Sequence, residues 1–162
     1  MALQAANGRA VVWATLFLAL LLQIMPLPEV VSAARPDWLF IALAYWTMAL
    51  PHRYSILTAW LMGLLLDILL GATMGVRALA LALVIYVVAL HFQRLRNFPV
   101  WQQAILLAVL SGVYHLVIFW IQFVTSKSLF DPIILLPVVS NLIIWSWAYW
   151  LLRRIRRDFK VR

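Results

Sequence analysis

The sequence predicts an all-α integral membrane protein, six apolar helices in one compact bundle with both chain ends on the same side. Three observations predict it. The chain of 162 residues is 67% hydrophobic and 11% charged, with a mean hydropathy of +1.00. A soluble domain has roughly 45–50% apolar and about 25% charged residues. The apolar residues fall in six runs separated by short punctuation, and the basic residues behind the net charge of +8 fall almost wholly in alternate connections.

No soluble fold of this size has the interior to hide so much apolar surface, because small domains leave much of their surface exposed. Disorder is excluded by the wealth of aromatic and branched residues. Six spans of about 20 residues use about 120 of the chain, which leaves no room for a soluble domain. The absence of cysteine removes disulfides, thiolate metal sites, cysteine nucleophiles and iron–sulfur clusters together. A pI near 10.9 would point to nucleic acid in a soluble protein. Here the charge is read as a topology signal, and no nucleic-acid partner is expected.

The first apolar segment, about residues 10–25, follows Arg9 and closes at Pro26 and Pro28. The stretch Pro26-Leu27-Pro28-Glu29 is a poor signal-peptide cleavage site, so the segment is read as a retained span. The second, 37–50, is entered through Arg35-Pro36-Asp37 and closed by Pro51-His52-Arg53. It is short, roughly 20 Å of helix at 1.5 Å per residue. It must thin the bilayer, sit against protein, or continue past its ends. The third, fourth, fifth and sixth segments cover 54–70, 75–92, 100–124 and 132–152, and a basic tail follows at 153–162. The last two segments are long enough to cross with tilt. Ala78–Ile85 alternates small and large residues, but all are apolar, whereas a membrane barrel strand alternates apolar with polar. Helix is the better reading.

Lysine and arginine set the orientation. With the N-terminus in the cytoplasm, the inside holds Arg9, Arg53, Arg94, Arg96, Arg153, Arg154, Arg156, Arg157, Lys160 and Arg162, and the outside Arg35 and Lys127. Arg77 lies just inside the fourth span, near the outer face. Trp145, Trp147, Tyr149 and Trp150 precede the C-terminal arginines, and Trp101 opens the fifth span. Amphipathic rings collect at such interfaces. The tail is read as an anchor on anionic headgroups or as a docking site for a cytoplasmic partner.

Asp67 is the most informative residue, because a carboxylate within a span needs protein or water around it and a partner. Arg77, beyond the turn Gly71-Ala72-Thr73-Met74-Gly75, is the candidate. The pair could hold the hairpin, contact a partner's transmembrane helix, or serve a proton or substrate relay. Gly63, Asp67, Gly71 and Gly75 recur every four residues, a spacing that lets another backbone approach closely. Gly71 and Gly75 also suit a turn. In the fifth span Ser111, His115 and Gln122 share a face, and His115 reads as a neutral histidine bonded to Ser111. Ser140-Asn141 reads as polar glue between helices, and Gln23 as interfacial. No catalytic, phosphate-binding or metal motif is present, and no cofactor is expected. Membrane scaffold ranks first, then small transporter subunit, then enzyme.

The whole chain resembles the rod shape-determining protein MreD family of Gram-negative bacteria. The resemblance runs through Gly8-Arg9, Leu20–Pro26, Arg35-Pro36-x-Trp38 and Tyr45-Trp46-x-x-Ala49-Leu50-Pro51-His52-Arg53. It continues through the hairpin Met62-Gly63-x-x-x-Asp67-x-x-x-Gly71-x-Thr73-x-Gly75-Val76-Arg77, Arg96-Asn97, Trp101-Gln102-Gln103 and the Trp-rich last span. One departure is visible. The family commonly has an acidic residue in the middle of the fifth span, where this chain has Tyr114-His115, so no acidic role carries over to that helix. The resemblance implies a non-enzymatic inner-membrane component of the cell-elongation machinery. Its direct partner would be MreC, with one span and a periplasmic body. MreB filaments, RodZ and the transpeptidase and glycosyltransferase pair of lateral-wall peptidoglycan synthesis would act with it. The family's fold is similar to the substrate-binding subunits of vitamin transporters, which keeps a small-molecule- or lipid-binding transporter subunit as the alternative. On this reading Gly63, Gly71 and Gly75 admit a partner helix, and Asp67 with Arg77 sets its register. Arg53, Arg94, Arg96, Arg153, Arg154, Arg156 and Arg157 face filament or lipid.

Overall fold

The shortest of the apolar segments lies at the centre of the molecule. A computed structural model describes residues 2–127 and 129–161, with side chains from Gly8 onward, and in it the chain is all-helical. The helices are α1 (Ala2–Ile24), α2 (Glu29–Ala33), α3 (Trp38–Ala49), α4 (Ile56–Leu69), α5 (Val76–Leu90), α6 (Phe92–Asn97), α7 (Val100–Ser126) and α8 (Leu136–Asp158). A 3₁₀ turn, Pro132–Leu135, leads into α8. Every residue of α3 from Leu39 to Ala49 is buried, and α1, α5, α6 and α8 all pack on it. Of the three outcomes open to a 12-residue helix only about 18 Å long, this is the one in which it sits against protein.

Proline and glycine set the boundaries. Pro26 follows the last turn of α1, and Pro51 stands just after α3, where neither can continue a helix. Helix α4 ends on Gly71, which is left-handed with φ +62°. The Gly71 N–H donates to the Ile68 carbonyl (3.2 Å) and the Ala72 N–H to the Asp67 carbonyl (3.1 Å), the paired bonds of a Schellman ending. Helix α8 ends the same way. Lys160 is left-handed, and the Val161 N–H donates to the Arg156 carbonyl (3.1 Å). The helix therefore continues through the basic run to Asp158 instead of stopping at Leu152. Arg162 lies outside the described residues. The fourth apolar segment divides at His91, and Arg94 and Arg96 ride on the separate helix α6.

Gly8 and Val161 lie against each other. Val161 is buried, and a Cβ on Gly8 would lie 3.7 Å from its Cα. This terminal end of the bundle also gathers the α3–α4 turn, α6 and the start of α7. The far end gathers the α1–α3 connection, the α4–α5 turn and the α7–α8 connection. The periphery between them is apolar, with Leu18, Leu57, Leu79, Val109 and Ile143 all more than half exposed. Among the described residues, two helical stretches, Val100–Ser126 and Pro132–Asp158, are long and apolar enough to cross a membrane.

Helices α4 and α5 form the closest pair, and Gly63 is the reason. A Cβ there would fall 2.5 Å from Ala78 Cα and 2.9 Å from Ala78 N. The space left by the missing side chain is filled by the chain's own next helix. Gly71 and Gly75, by contrast, have open space beside them and positive φ, so their role within the chain is the turn. Gly63→Ala is expected to push α4 from α5 and cost about 1–3 kcal/mol, read as a lower thermal midpoint in detergent. Gly112→Ala, whose methyl would meet only Val138 Cγ2 at 3.7 Å, is expected to be neutral. A Gly63→Ala variant as stable as the parent would contradict the close approach.

Candidate functional site

Two buried carboxylates organise the far end. The first, Asp67 on α4, is 0% exposed. Its Oδ2 accepts the backbone N–H groups of Gly75 (3.0 Å), Arg77 (3.2 Å) and Ala78 (3.3 Å). These are orphan donors at the start of α5, which no side chain of its own N-cap satisfies. A carboxylate there also meets the positive end of the helix dipole. Arg77 Nη1 stands 3.5 Å from Asp67 Oδ1. The sequence-derived pair therefore exists, but the guanidinium is one of several groups answering the same charge.

The second is Asp37, just before α3, and sequence reasoning assigned it no role. Asp37 Oδ2 accepts from Ser111 Oγ and Asn141 Nδ2, each at 2.8 Å, and lies 2.8 Å from His115 Nε2. The Asp37 N–H donates to Asn141 Oδ1, also at 2.8 Å. Asn141 Nδ2 further donates to Ser111 Oγ. His115 does share this cluster with Ser111, but through the carboxylate. The signal was present in the sequence as Ser111, His115 and Asn141, three polar groups on two apolar helices that need a common buried partner. Nearby, Ser140 Oγ donates to the Ala34 carbonyl (2.6 Å). Arg35 donates to the carbonyls of Gln23 and Met25, which closes the end of α1.

The cluster holds a serine, a histidine and an aspartate, yet it is wired against nucleophilic catalysis. A catalytic triad needs the histidine between the serine and the acid, so that the ring can take the hydroxyl proton. Here the Ser111 proton and His115 both point at Asp37, which fits a clamp between α3, α7 and α8. Of the clamp, Asp37 and His115 line a cleft of about 410 Å³. Arg35, Arg77, Gln23, Gln122 and Asp131 also line it.

The remaining residues singled out from the sequence lie elsewhere. Arg53 follows α3, Arg94 and Arg96 lie on α6, and Arg153, Arg154, Arg156 and Arg157 lie on the last turns of α8, all at the terminal end. Arg154 packs over Trp150 and pairs loosely with Asp158 at 4.0 Å.

The family model for rod shape-determining protein MreD matches residues 4–155. The chain belongs to the MreD family. It is 33% identical over 144 residues to the rod shape-determining protein MreD of Haemophilus influenzae, covering 89% of each chain. No solved structure matches it. Rod-shape determination is thus the setting in which the two carboxylates and the arginine-rich end have to be understood.

Asp37→Ala is expected to leave Ser111, Asn141 and His115 without their shared acceptor, at about 1–3 kcal/mol for each buried group left unpaired. His115→Ala, which removes one bond at the partly open cleft wall, is expected to cost less. Thermal unfolding in detergent ranks the two. The reverse order would show that Asp37 is not the hub.

Proposed function

We propose that this chain is a non-enzymatic scaffold of the cell-elongation machinery. In this reading it crosses the bacterial inner membrane six times with both termini in the cytoplasm. It binds a single-span MreC-type protein and helps to position lateral-wall peptidoglycan synthesis. The match to the rod shape-determining family over residues 4–155 carries the reading. The apolar periphery supports the membrane. So does the gathering of Arg9, Arg53, Arg94, Arg96, the α8 arginines and Lys160 at one end, against Arg35, Arg77 and Lys127 at the other, since cytoplasmic connections carry the excess of basic residues. MreB filaments, RodZ and the transpeptidase and glycosyltransferase pair would act with it less directly, with the cytoplasmic arginines toward filament or lipid.

The partner's span is best received beside the α4–α5 turn. Gly71 and Gly75 leave open space there, and Ile68, Leu69 and Met74 are exposed beside them. Gly63 takes no part in such a contact, because Ala78 already occupies its open side. Asp67 and Arg77 act from behind, holding the turn in shape. Small residues and exposed apolar side chains suit helix association in lipid, where packing supplies the attraction.

A second reading, a small-molecule- or lipid-binding transporter subunit, draws on the cleft of about 410 Å³ beside Arg77 and His115. Co-purification from detergent with the MreC-type partner separates the two. The scaffold reading expects a stoichiometric complex. Ile68→Trp or Met74→Trp should weaken that complex about tenfold without moving the chain's own thermal midpoint. A stoichiometric bound small molecule with no partner would replace the scaffold by the transporter subunit.

A further inference from the structure

The terminal end of the bundle contains a second cleft, of about 440 Å³, between α3, the α6–α7 joint and α8. Its wall holds three guanidinium groups, Arg96, Arg153 and Arg156, two phenols, Tyr45 and Tyr149, and the amide of Gln103. Among the described residues, no carboxylate lines it. The nearby Asp158 turns to Arg154 outside the cleft. The three arginines therefore line a shared space with no carboxylate among the described residues of its wall. Arg156 Nε donates to the Val161 carbonyl at 3.5 Å, which ties it to the end of the chain beside the cleft.

Gln103 adds a second, independent mark. It is 1% exposed, and its Nε2 donates to the carbonyls of Leu95 (2.7 Å) and Phe98 (3.3 Å). Those two bonds fix which way the amide faces and leave Oε1 buried with no donor. A buried acceptor left unpaired costs free energy, and the wall it belongs to is otherwise rich in donors for an anion. Guanidinium forks match phosphate oxygens in charge and geometry. A hydroxyl carried by the same ligand would satisfy the amide.

We propose that this cleft binds the headgroup of one anionic phospholipid, with its phosphate on Arg96, Arg153 and Arg156 and a headgroup hydroxyl near Gln103. A lipid is favoured over an acidic peptide by the surroundings. Phe98, Trp101 and Trp150 are exposed around the same end, the belt that marks an interface with headgroups. A basic pocket between helices suits an anionic headgroup. The assignment rests on the membrane reading above, but it does not depend on which leaflet this end faces.

Native mass spectrometry of the full-length chain, released from nanodiscs open on both faces, tests it. The expected result is one retained phosphatidylglycerol per chain and no comparable retention of phosphatidylcholine. Arg96→Gln with Arg153→Gln and Arg156→Gln is expected to lower retention about a hundredfold, and Arg96→Gln or Arg153→Gln alone about fivefold. The single changes fall on exposed side chains and keep the test valid if the triple variant misfolds. Arg94→Gln with Arg154→Gln and Arg157→Gln removes the same charge outside the cleft and is expected to retain the lipid. Equal loss in both triple variants would overturn the site in favour of general surface attraction. Displacement of the lipid by glycerol 3-phosphate at equal concentration would reassign the site to a free phosphate ester. Preferential binding of a polyglutamate peptide would reassign it to an acidic protein segment.

Discussion

A carboxylate shut away from water has to be answered by donors, and the α4–α5 hairpin is built around that requirement at Asp67. Its side chain caps the start of α5 while its own backbone carbonyl closes the end of α4. One residue thus fixes where the first helix stops, where the second starts and how the turn between them runs. Gly63 then lets the two helices close until its position touches the Ala78 backbone. The hairpin lies at the edge of the surface proposed for a partner's span, so in that proposal its shape matters more than any chemistry.

The second carboxylate does similar work at longer range. Asp37 stands at the head of the central helix and reaches Ser111 on α7 and Asn141 on α8. Such networks stay intact only when every member is satisfied. The far end is therefore held by two polar clamps and the Arg35 bonds, while the terminal end gathers the arginines. The molecule is polarised, with buried polar clusters at one end and a gathering of arginines at the other. That division suits the proposed scaffold, and it sets the basic cleft apart from the cleft beside Asp37.

Much of this was legible in the sequence, and the misses share a cause. Apolar runs, the prolines at 26 and 51 and the glycines of the turn mark the helices, because backbone chemistry is local. The Asp67–Arg77 partnership was readable because the two residues flank one turn. Asp37 was not, because its partners lie 74 to 104 positions away and no spacing rule connects them. Gly63 was read as an opening for another protein. A small residue every four positions says that some backbone comes close, and only the packed structure says whose. The continuation of α8 through Arg153–Asp158 escaped for a simpler reason. The apolar pattern ends at Leu152, while arginine is a good helix former and the helix goes on without it.

The most direct test concerns how Asp67 is held. Thermal unfolding in detergent of Asp67→Arg, Arg77→Asp and the exchanged double variant separates an ion pair from a cap. If the backbone N–H groups of α5 are the main partners, an arginine at position 67 sets a positive charge against them. The double variant then stays as unstable as Asp67→Arg alone. Recovery of the parent midpoint by the exchange would contradict the capping role and leave the hairpin resting on the ion pair.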